Sequence, residues 1–103
     1  MQIHRLKTKY RLYDRVIAGG KKAEIRKLDR DFKVGDYLIL ERIFQGAVSH
    51  TTVAEITDIL TYEDFQDGLK EGFGMLSFKL IDNPGYADAI KRMEEQERAK
   101  NNG

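Results

Sequence analysis

Apolar side chains recur along this chain with spacings that predict strands in some segments and helices in others. Residues 2 to 8 mix polar and apolar side chains and predict a first strand. Residues 23 to 26 alternate, which places Glu24 and Arg26 on one face of a second strand. The most apolar run, residues 37 to 44, predicts a strand near the centre of the core.

Two further strands are predicted in the second half of the chain. Residues 51 to 60 are rich in β-branched side chains and follow a Gln45-Gly46 turn, which favours a hairpin with the preceding strand. Residues 74 to 81 predict the last strand. Between them, residues 62 to 70 are short and acidic, and they predict either a helical turn or an ordered loop.

Helical spacing appears twice. Residues 10 to 18 predict a short amphipathic helix that stops at Gly19-Gly20, because glycine accepts the left-handed conformation found after helix ends. Asn83 followed by Pro84 predicts the start of a second helix. The apolar stripes predicted to face the core comprise Tyr10, Tyr13, Val16 and Ile17 in the first helix, and Tyr86, Ala89, Ile90 and Met93 in the second.

This order of elements predicts an α+β fold, a small mixed or antiparallel β-barrel of five or six strands flanked by two or three helices. With 103 residues and 41% hydrophobic residues, the chain is large enough for one core. We expect the barrel domain to span residues 1 to 82. Residues 83 to 103 are expected to form a C-terminal helix and a mobile polar tail.

Composition narrows the classes of function. The chain has no cysteine, and His4 and His50 are its two imidazoles, so the sequence disfavours a metal enzyme and indicates no cofactor. No apolar run approaches the roughly 20 residues needed to span a bilayer, and the N-terminus does not resemble a signal peptide. The sequence therefore predicts a cytoplasmic protein that does not contact membranes.

Charge is distributed unevenly behind a net charge of +1. Residues 1 to 33 hold 11 Lys and Arg against 4 Asp and Glu, whereas residues 34 to 103 hold 7 against 13. Clustered cations attract phosphate-bearing ligands, so an anionic partner is expected at the first third of the chain. The acidic remainder argues against a protein that coats nucleic acid without sequence preference.

Particular side chains in the basic third suit such a partner. Lys21, beside two glycines, can reach a phosphate as a point charge, whereas Arg26 and Arg30 offer planar forks. Glu24 can orient Arg26 or accept a hydrogen bond from a base amino group. The candidate ligand-binding residues are His4, Lys7, Lys21, Glu24, Arg26 and Arg30. An alternative is that the charged residues pair with one another in a surface network that contributes little to stability.

These residues also carry a family resemblance. The motifs are His4-x-Leu6-Lys7 and Gly19-x-Lys21-x-x-Glu24-Ile25-Arg26-Lys27-x-Asp29-Arg30-Asp31-Phe32-x-Val34-Gly35-Asp36. Residues 3 to 44 thereby resemble the ASCH domain family of the PUA-like superfamily, and within it a group of small uncharacterised bacterial and phage proteins. The resemblance implies a PUA-like barrel with a cleft between the first helix and the Gly-x-Lys-x-x-Glu-Ile-Arg strand. It further implies that RNA, a nucleotide or a nucleoside binds in that cleft.

Two alternatives remain open, one from the resemblance and one from the pattern of the C-terminal helix. Some small ASCH proteins are similar to amidohydrolases that deacetylate N4-acetylcytidine with a lysine, a threonine and a glutamate. Lys21 matches that lysine, but Glu24 occupies the threonine position, so Lys21 and Glu24 would be the catalytic residues acting through water. The second alternative is a protein-interaction adaptor that binds a protein partner, or a second copy, through its C-terminal helix.

Overall fold

In the computed structural model, which describes residues 1–102, five strands form one mixed sheet and two helices pack against it. The predicted α+β fold is confirmed. The elements in chain order are β1 (Ile3–Lys9), α1 (Tyr10–Ile17), β2 (Ala23–Lys27), β3 (Tyr37–Phe44), β4 (Ala47–Thr61), β5 (Phe73–Leu80) and α2 (Pro84–Asn102).

The sheet has the strand order β1-β3-β4-β5-β2 and curls into a half-barrel. β1 runs parallel to β3, and the other neighbouring pairs are antiparallel. The long strand β4 pairs with β3 through its first half and with β5 through its second half. A register shift between Ile56 and Asp58 bends it. This curvature brings β1 and β2, the two ends of the sheet, towards each other.

The core lies on both faces of β3. On the concave face, Leu38 and Leu40 pack with Tyr13 and Val16 of α1. On the opposite face, Ile39 packs with α2 and with neighbouring strands. Because a strand covered on both sides can be apolar at every position, this arrangement explains the continuous apolar run that predicted a central strand.

α2 begins as the sequence predicts, since the Tyr86 N–H donates to the Asn83 Oδ1 acceptor at 3.0 Å. The helix continues to Asn102, so it includes the residues expected to form the polar tail, and Gly103 lies outside the described residues. None of the helices in this described part has the length and apolarity needed to cross a membrane.

The predicted apolar stripe of α2 is only partly correct. Ile90 is buried against Tyr37, Ile39 and Val53, so it packs on its own sheet. Met93, however, is 54% exposed. The adjacent Glu94 is buried instead, because its Oε1 accepts a hydrogen bond from Arg5 Nε at 2.5 Å. A similar split occurs in α1, where Tyr13 and Val16 are buried while Tyr10 and Ile17 remain exposed.

Candidate functional site

An open cavity of about 590 Å³ lies at the seam where the two edge strands of the sheet approach each other. We call it the seam cavity. It lies between β1, the start of α1 and β2. Its lining residues include Lys7, Thr8, Lys9, Lys21, Glu24 and Arg26. Five of the lining residues have positively charged side chains, because Lys27 also lines the cavity. Within the described part of the chain, Glu24 is the one lining residue with a carboxylate.

Arg26 spans the seam. Its Nη2 donates to the Lys7 carbonyl on β1 at 2.7 Å and lies 3.3 Å from Thr8 Oγ1. On its own strand, Arg26 donates from Nε and Nη2 to Glu24 Oε2 at 3.1 and 3.0 Å. The alternation of β2 places both side chains on one face, as predicted, and that face points inwards. A guanidinium therefore joins two edges that have no backbone ladder between them.

Glu24 is the most unusual group in the seam cavity. It is 7% exposed, and Arg26 occupies its Oε2. Its buried Oε1 has no hydrogen-bond partner within residues 1–102, and Lys21 Nζ lies 3.8 Å away. A buried carboxylate oxygen without a hydrogen bond costs free energy, and the nearby Lys21 ammonium offsets part of that cost.

Lys21 is held beside Glu24 by the turn that ends α1. Gly19 has a φ of +86°, a conformation that glycine adopts readily, and the Lys21 N–H donates to the Arg15 carbonyl at 3.1 Å. The Lys21 ammonium donates to the Ala23 carbonyl. Burial lowers the pKa of Lys21 and outweighs the opposing effect of Glu24, while Arg15 and Arg26 lower it further. The lysine is thus a partly desolvated cation.

The structure gathers four of the six predicted binding residues around the seam cavity: Lys7, Lys21, Glu24 and Arg26. Arg30 lies farther along the seam, where its Nη1 donates to the Arg5 carbonyl at 2.9 Å. It is therefore a second bridge between the β2 side of the seam and β1.

His4 lies away from the seam cavity and is buried. Its Nε2 is 2.9 Å from Asp36 Oδ2, and its ring packs on Phe32 with centroids 4.6 Å apart. Asp36 also accepts hydrogen bonds from the N–H groups of Gln2 and Lys33, each at 3.0 Å. These contacts tie β1 to the turn before β3, so His4, which was predicted as a ligand-binding residue, has a structural hydrogen bond and does not line the seam cavity.

Thr8 is a lining residue that the sequence analysis did not single out. It is 2% exposed, and its hydroxyl meets Arg26 in the seam. The two-residue period of a strand could have indicated that Thr8 faces inwards. Positions 4, 6 and 8 of β1 share one face, and all three side chains are buried. Within residues 1–102, no cluster of three or more His, Asp or Glu side chains is arranged to hold a metal ion.

Comparison with known proteins places the chain in a family without an assigned activity. A family model described as "Domain of unknown function (DUF3850)" matches residues 3–78, from β1 into β5. The chain is also similar to the "Uncharacterized 12.9 kDa protein in GpA 3'region" of Escherichia phage P2, with 40% identity over 65 residues. That match covers 62% of this chain, and the chain spans about 60% of the length of this curated relative. Because the family model covers most of the chain, including every strand that lines the seam cavity, the protein belongs to the DUF3850 family.

Proposed function

We propose that this protein is a binding module for a nucleotide, free or as an unpaired residue of RNA, and that the ligand occupies the seam cavity. The observation that carries the proposal is the Glu24 Oε1, which is buried without a hydrogen-bond partner in a cavity otherwise rich in cations. The two kinds of group suit the two ends of a nucleotide. A base offers N–H donors to the carboxylate, and the phosphate is attracted to the surrounding lysines.

The polarity of the seam cavity sets the orientation of the ligand. Phosphate is repelled by the carboxylate of Glu24, so the base is the part that enters next to it. Lys21 Nζ, 3.8 Å from Glu24 Oε1, adds a donor beside that acceptor. Adjacent donor and acceptor groups match the edge of a nucleobase, which also carries both. Lys7 and Lys9 then lie on the β1 wall of the cavity, where they attract the phosphate.

Two further observations support a nucleotide ligand. The cavity volume of about 590 Å³ falls within the range of roughly 300–1,000 Å³ typical of small-molecule sites. The resemblance to ASCH domains implies a cleft at the same Gly-x-Lys-x-x-Glu-Ile-Arg segment, in a PUA-like barrel. We therefore extend the proposal to membership of the PUA-like superfamily, with RNA or a nucleotide as the ligand class.

The proposal is tested by calorimetric titration of the four ribonucleoside monophosphates into wild type, Glu24→Gln and Lys21→Ala. Lys22→Ala is the matched control, because Lys22 is exposed and absent from the seam cavity lining. We expect the best ligand to lose about tenfold or more in affinity in Glu24→Gln, since a hydrogen bond to a charged group contributes about 1.5–3 kcal/mol. Unchanged affinity in both cavity variants, or equal loss in Lys22→Ala, would contradict the proposal.

A second candidate is hydrolysis of an acylated nucleoside such as N4-acetylcytidine. It is favoured by the burial that lowers the pKa of Lys21, the lysine that the resemblance already assigned, and by the buried Thr8 hydroxyl, a group that the sequence did not assign. In this reaction the Lys21–Glu24 pair accepts a proton from water, and the resulting hydroxide adds to the acyl carbon. The carbon–nitrogen bond then breaks, the proton passes to the departing amino group, and a carboxylic acid is released, which loses its own proton to water.

This reaction is tested by incubating the protein with N4-acetylcytidine and measuring released cytidine chromatographically. We expect product from wild type and from Lys22→Ala but not from Lys21→Ala. No product from wild type under conditions where the nucleoside binds would remove hydrolysis of this substrate and leave the binding proposal intact.

A further inference from the structure

Resting on the nucleotide site proposed above, we propose that the ligand is a single-stranded oligonucleotide extending from the seam cavity to a stacking platform formed by Tyr10 and Phe44. The first nucleotide occupies the seam cavity beside Glu24. The following nucleotides pass along the start of α1. A base of one of them stacks on one exposed ring face of this platform, which lies where Tyr10 at the start of α1 meets Phe44 at the end of β3.

A second cavity provides the path between these two places. It has a volume of about 420 Å³ and is lined by Lys9, Tyr10, Arg11, Leu12, Arg15 and Ile43. Lys9 and Leu12 also line the seam cavity, so the two cavities adjoin at the junction of β1 and α1. A ligand that fills the seam cavity therefore lies next to the second cavity, whose lining includes Tyr10.

The aromatic rings at the far end form a defined platform. The centroids of Tyr10 and Phe44 are 5.2 Å apart, and their planes meet at 86°. Tyr10 is 39% exposed and Phe44 is 42% exposed, although the sequence predicted Tyr10 as core. Exposed aromatic rings on a single-strand-binding surface receive unstacked bases, because every base has a face that can stack.

Arg42 packs against both rings of the platform. Its Cζ lies 5.5 Å from the Tyr10 centroid and 5.6 Å from the Phe44 centroid. Asp14 of α1 holds the guanidinium with two parallel bonds, from Nε at 2.8 Å and from Nη2 at 3.1 Å. A bidentate pair restrains both side chains, so the rings are ordered before a base arrives. Pairing with Arg42 also compensates the negative charge of Asp14 near the path.

The charges along the path fit a phosphodiester backbone. Lys9, Arg11 and Arg15 line the second cavity, and the two arginines lie four residues apart on α1, one turn above each other. Cations that follow a groove and end at aromatic rings are the combination used to bind single strands without reading each base. A duplex keeps its bases stacked on one another, so it cannot place a base on the platform.

The test is a series of oligocytidylates from one to four nucleotides, with affinities measured at two salt concentrations. Wild type is compared with Tyr10→Leu and Phe44→Leu, which keep apolar bulk but remove the aromatic face. Tyr86→Leu is the matched control. Tyr86 is also a half-exposed tyrosine in an edge-to-face pair, but it lies on α2, which packs on the opposite face of the sheet from α1. A deoxycytidylate tetramer distinguishes the RNA backbone from the DNA backbone.

We expect affinity and salt dependence to increase with length in wild type, because each added phosphate contact releases counterions. Loss of a stacking ring weakens the tetramer about five- to 150-fold, while the monophosphate and Tyr86→Leu are unaffected. Equal affinity for monophosphate and tetramer in wild type, or an unchanged tetramer in both ring variants, would overturn the extended path. A third outcome would overturn the seam site but keep the platform. In that case the monophosphate would not bind, while binding of the tetramer would still depend on the two rings.

Discussion

Arg26 of β2 donates a hydrogen bond of 2.7 Å from its Nη2 to the backbone carbonyl of Lys7 on β1, across the open side of the half-barrel. The two strands are the terminal members of the sheet, so no backbone ladder joins them. The guanidinium satisfies a carbonyl on a free edge and at the same time binds Glu24. One side chain thus closes the sheet and forms part of the seam cavity.

Arg26→Lys is predicted to destabilise the protein although it preserves the charge. A lysine ammonium has no planar fork, so it cannot contact Glu24 and the Lys7 carbonyl in the same way. The bond to the Lys7 carbonyl is exposed, so the expected loss of about 1–2 kcal/mol in the free energy of unfolding comes mainly from weakening the partly buried contacts with Glu24. Urea denaturation at pH 7 measures this value.

Arg30→Lys is the control for that change. Arg30 donates to the Arg5 carbonyl at 2.9 Å, but its side chain is 45% exposed. Because water can replace an exposed bond, we expect a loss below about 1 kcal/mol. If both variants lost the same free energy of unfolding, the contact with Glu24 would not make the Arg26 bridge stronger than the more exposed Arg30 bridge.

The buried Asp36 is predicted to make stability depend on pH in the acidic range. Burial raises the pKa of Asp36, but hydrogen bonds from the Gln2 N–H, His4 and the Lys33 N–H together lower it below the ordinary value of 3.8. Since the folded pKa is depressed, the stabilisation is present above the unfolded value and is lost as pH falls through the folded value. Stability should therefore decline below about pH 4.

Asp36→Asn removes this dependence. Its free energy of unfolding should be lower than that of wild type by about 1–3 kcal/mol at pH 7, because buried donors lose a charged acceptor. The difference should shrink between pH 4 and pH 2, as followed by urea denaturation at each pH. Asp67→Asn, at an exposed position, controls for the loss of one carboxylate. A wild-type advantage that persists unchanged at the lowest pH would contradict the assignment.

The elements of the fold were predictable from sequence because local chemistry determines them. The end of α1 follows from Gly19, and the start of α2 follows from the Asn83 side chain. Strand positions follow from runs of β-branched and apolar residues. β4 was predicted too short because its first four residues, 47 to 50, are exposed and depend on pairing with β3.

The site was less predictable because it depends on which strands meet. The alternation of β2 indicated that Glu24 and Arg26 share a face, but a charged face normally points to water. Here Ile25 is 61% exposed while Glu24 is 7% exposed. The charged face of β2 is buried because Arg26 bonds the Lys7 carbonyl across the seam. The position of that carbonyl follows from the strand order and not from the local sequence pattern. Glu94 was missed for the same reason, since its partner Arg5 is 89 residues away.

Two neighbouring positions of α2 are predicted to respond differently to truncation. Ile90→Ala should lower the free energy of unfolding by about 2–4 kcal/mol, because Ile90 is 1% exposed and its removal leaves a cavity. Met93→Ala should cost less than about 1 kcal/mol, since Met93 is 54% exposed. Urea denaturation of both variants measures the difference. If both variants lost a similar free energy of unfolding, Met93 would pack on the sheet as the sequence predicted. That result would contradict the burial of Glu94 instead of Met93.

The β3–β4 hairpin offers a stabilising substitution. Its two-residue turn has positive φ at both central positions, 51° at Gln45 and 80° at Gly46, which is the geometry of a type I′ turn. Asparagine tolerates this conformation better than glutamine does. Gln45→Asn should therefore raise the free energy of unfolding by about 0.5 kcal/mol, measured by urea denaturation.

Gly46→Ala tests the same turn in the opposite direction. A Cβ at Gly46 would meet no atom within 4 Å, so a steric clash with the surroundings cannot explain any loss. The expected cost of about 1 kcal/mol is then the backbone strain of an L-residue in the left-handed region. If Gln45→Asn destabilised the protein while Gly46→Ala had no effect, the turn would not have the type I′ geometry in solution. The pair of variants thus separates backbone conformation from packing at one site.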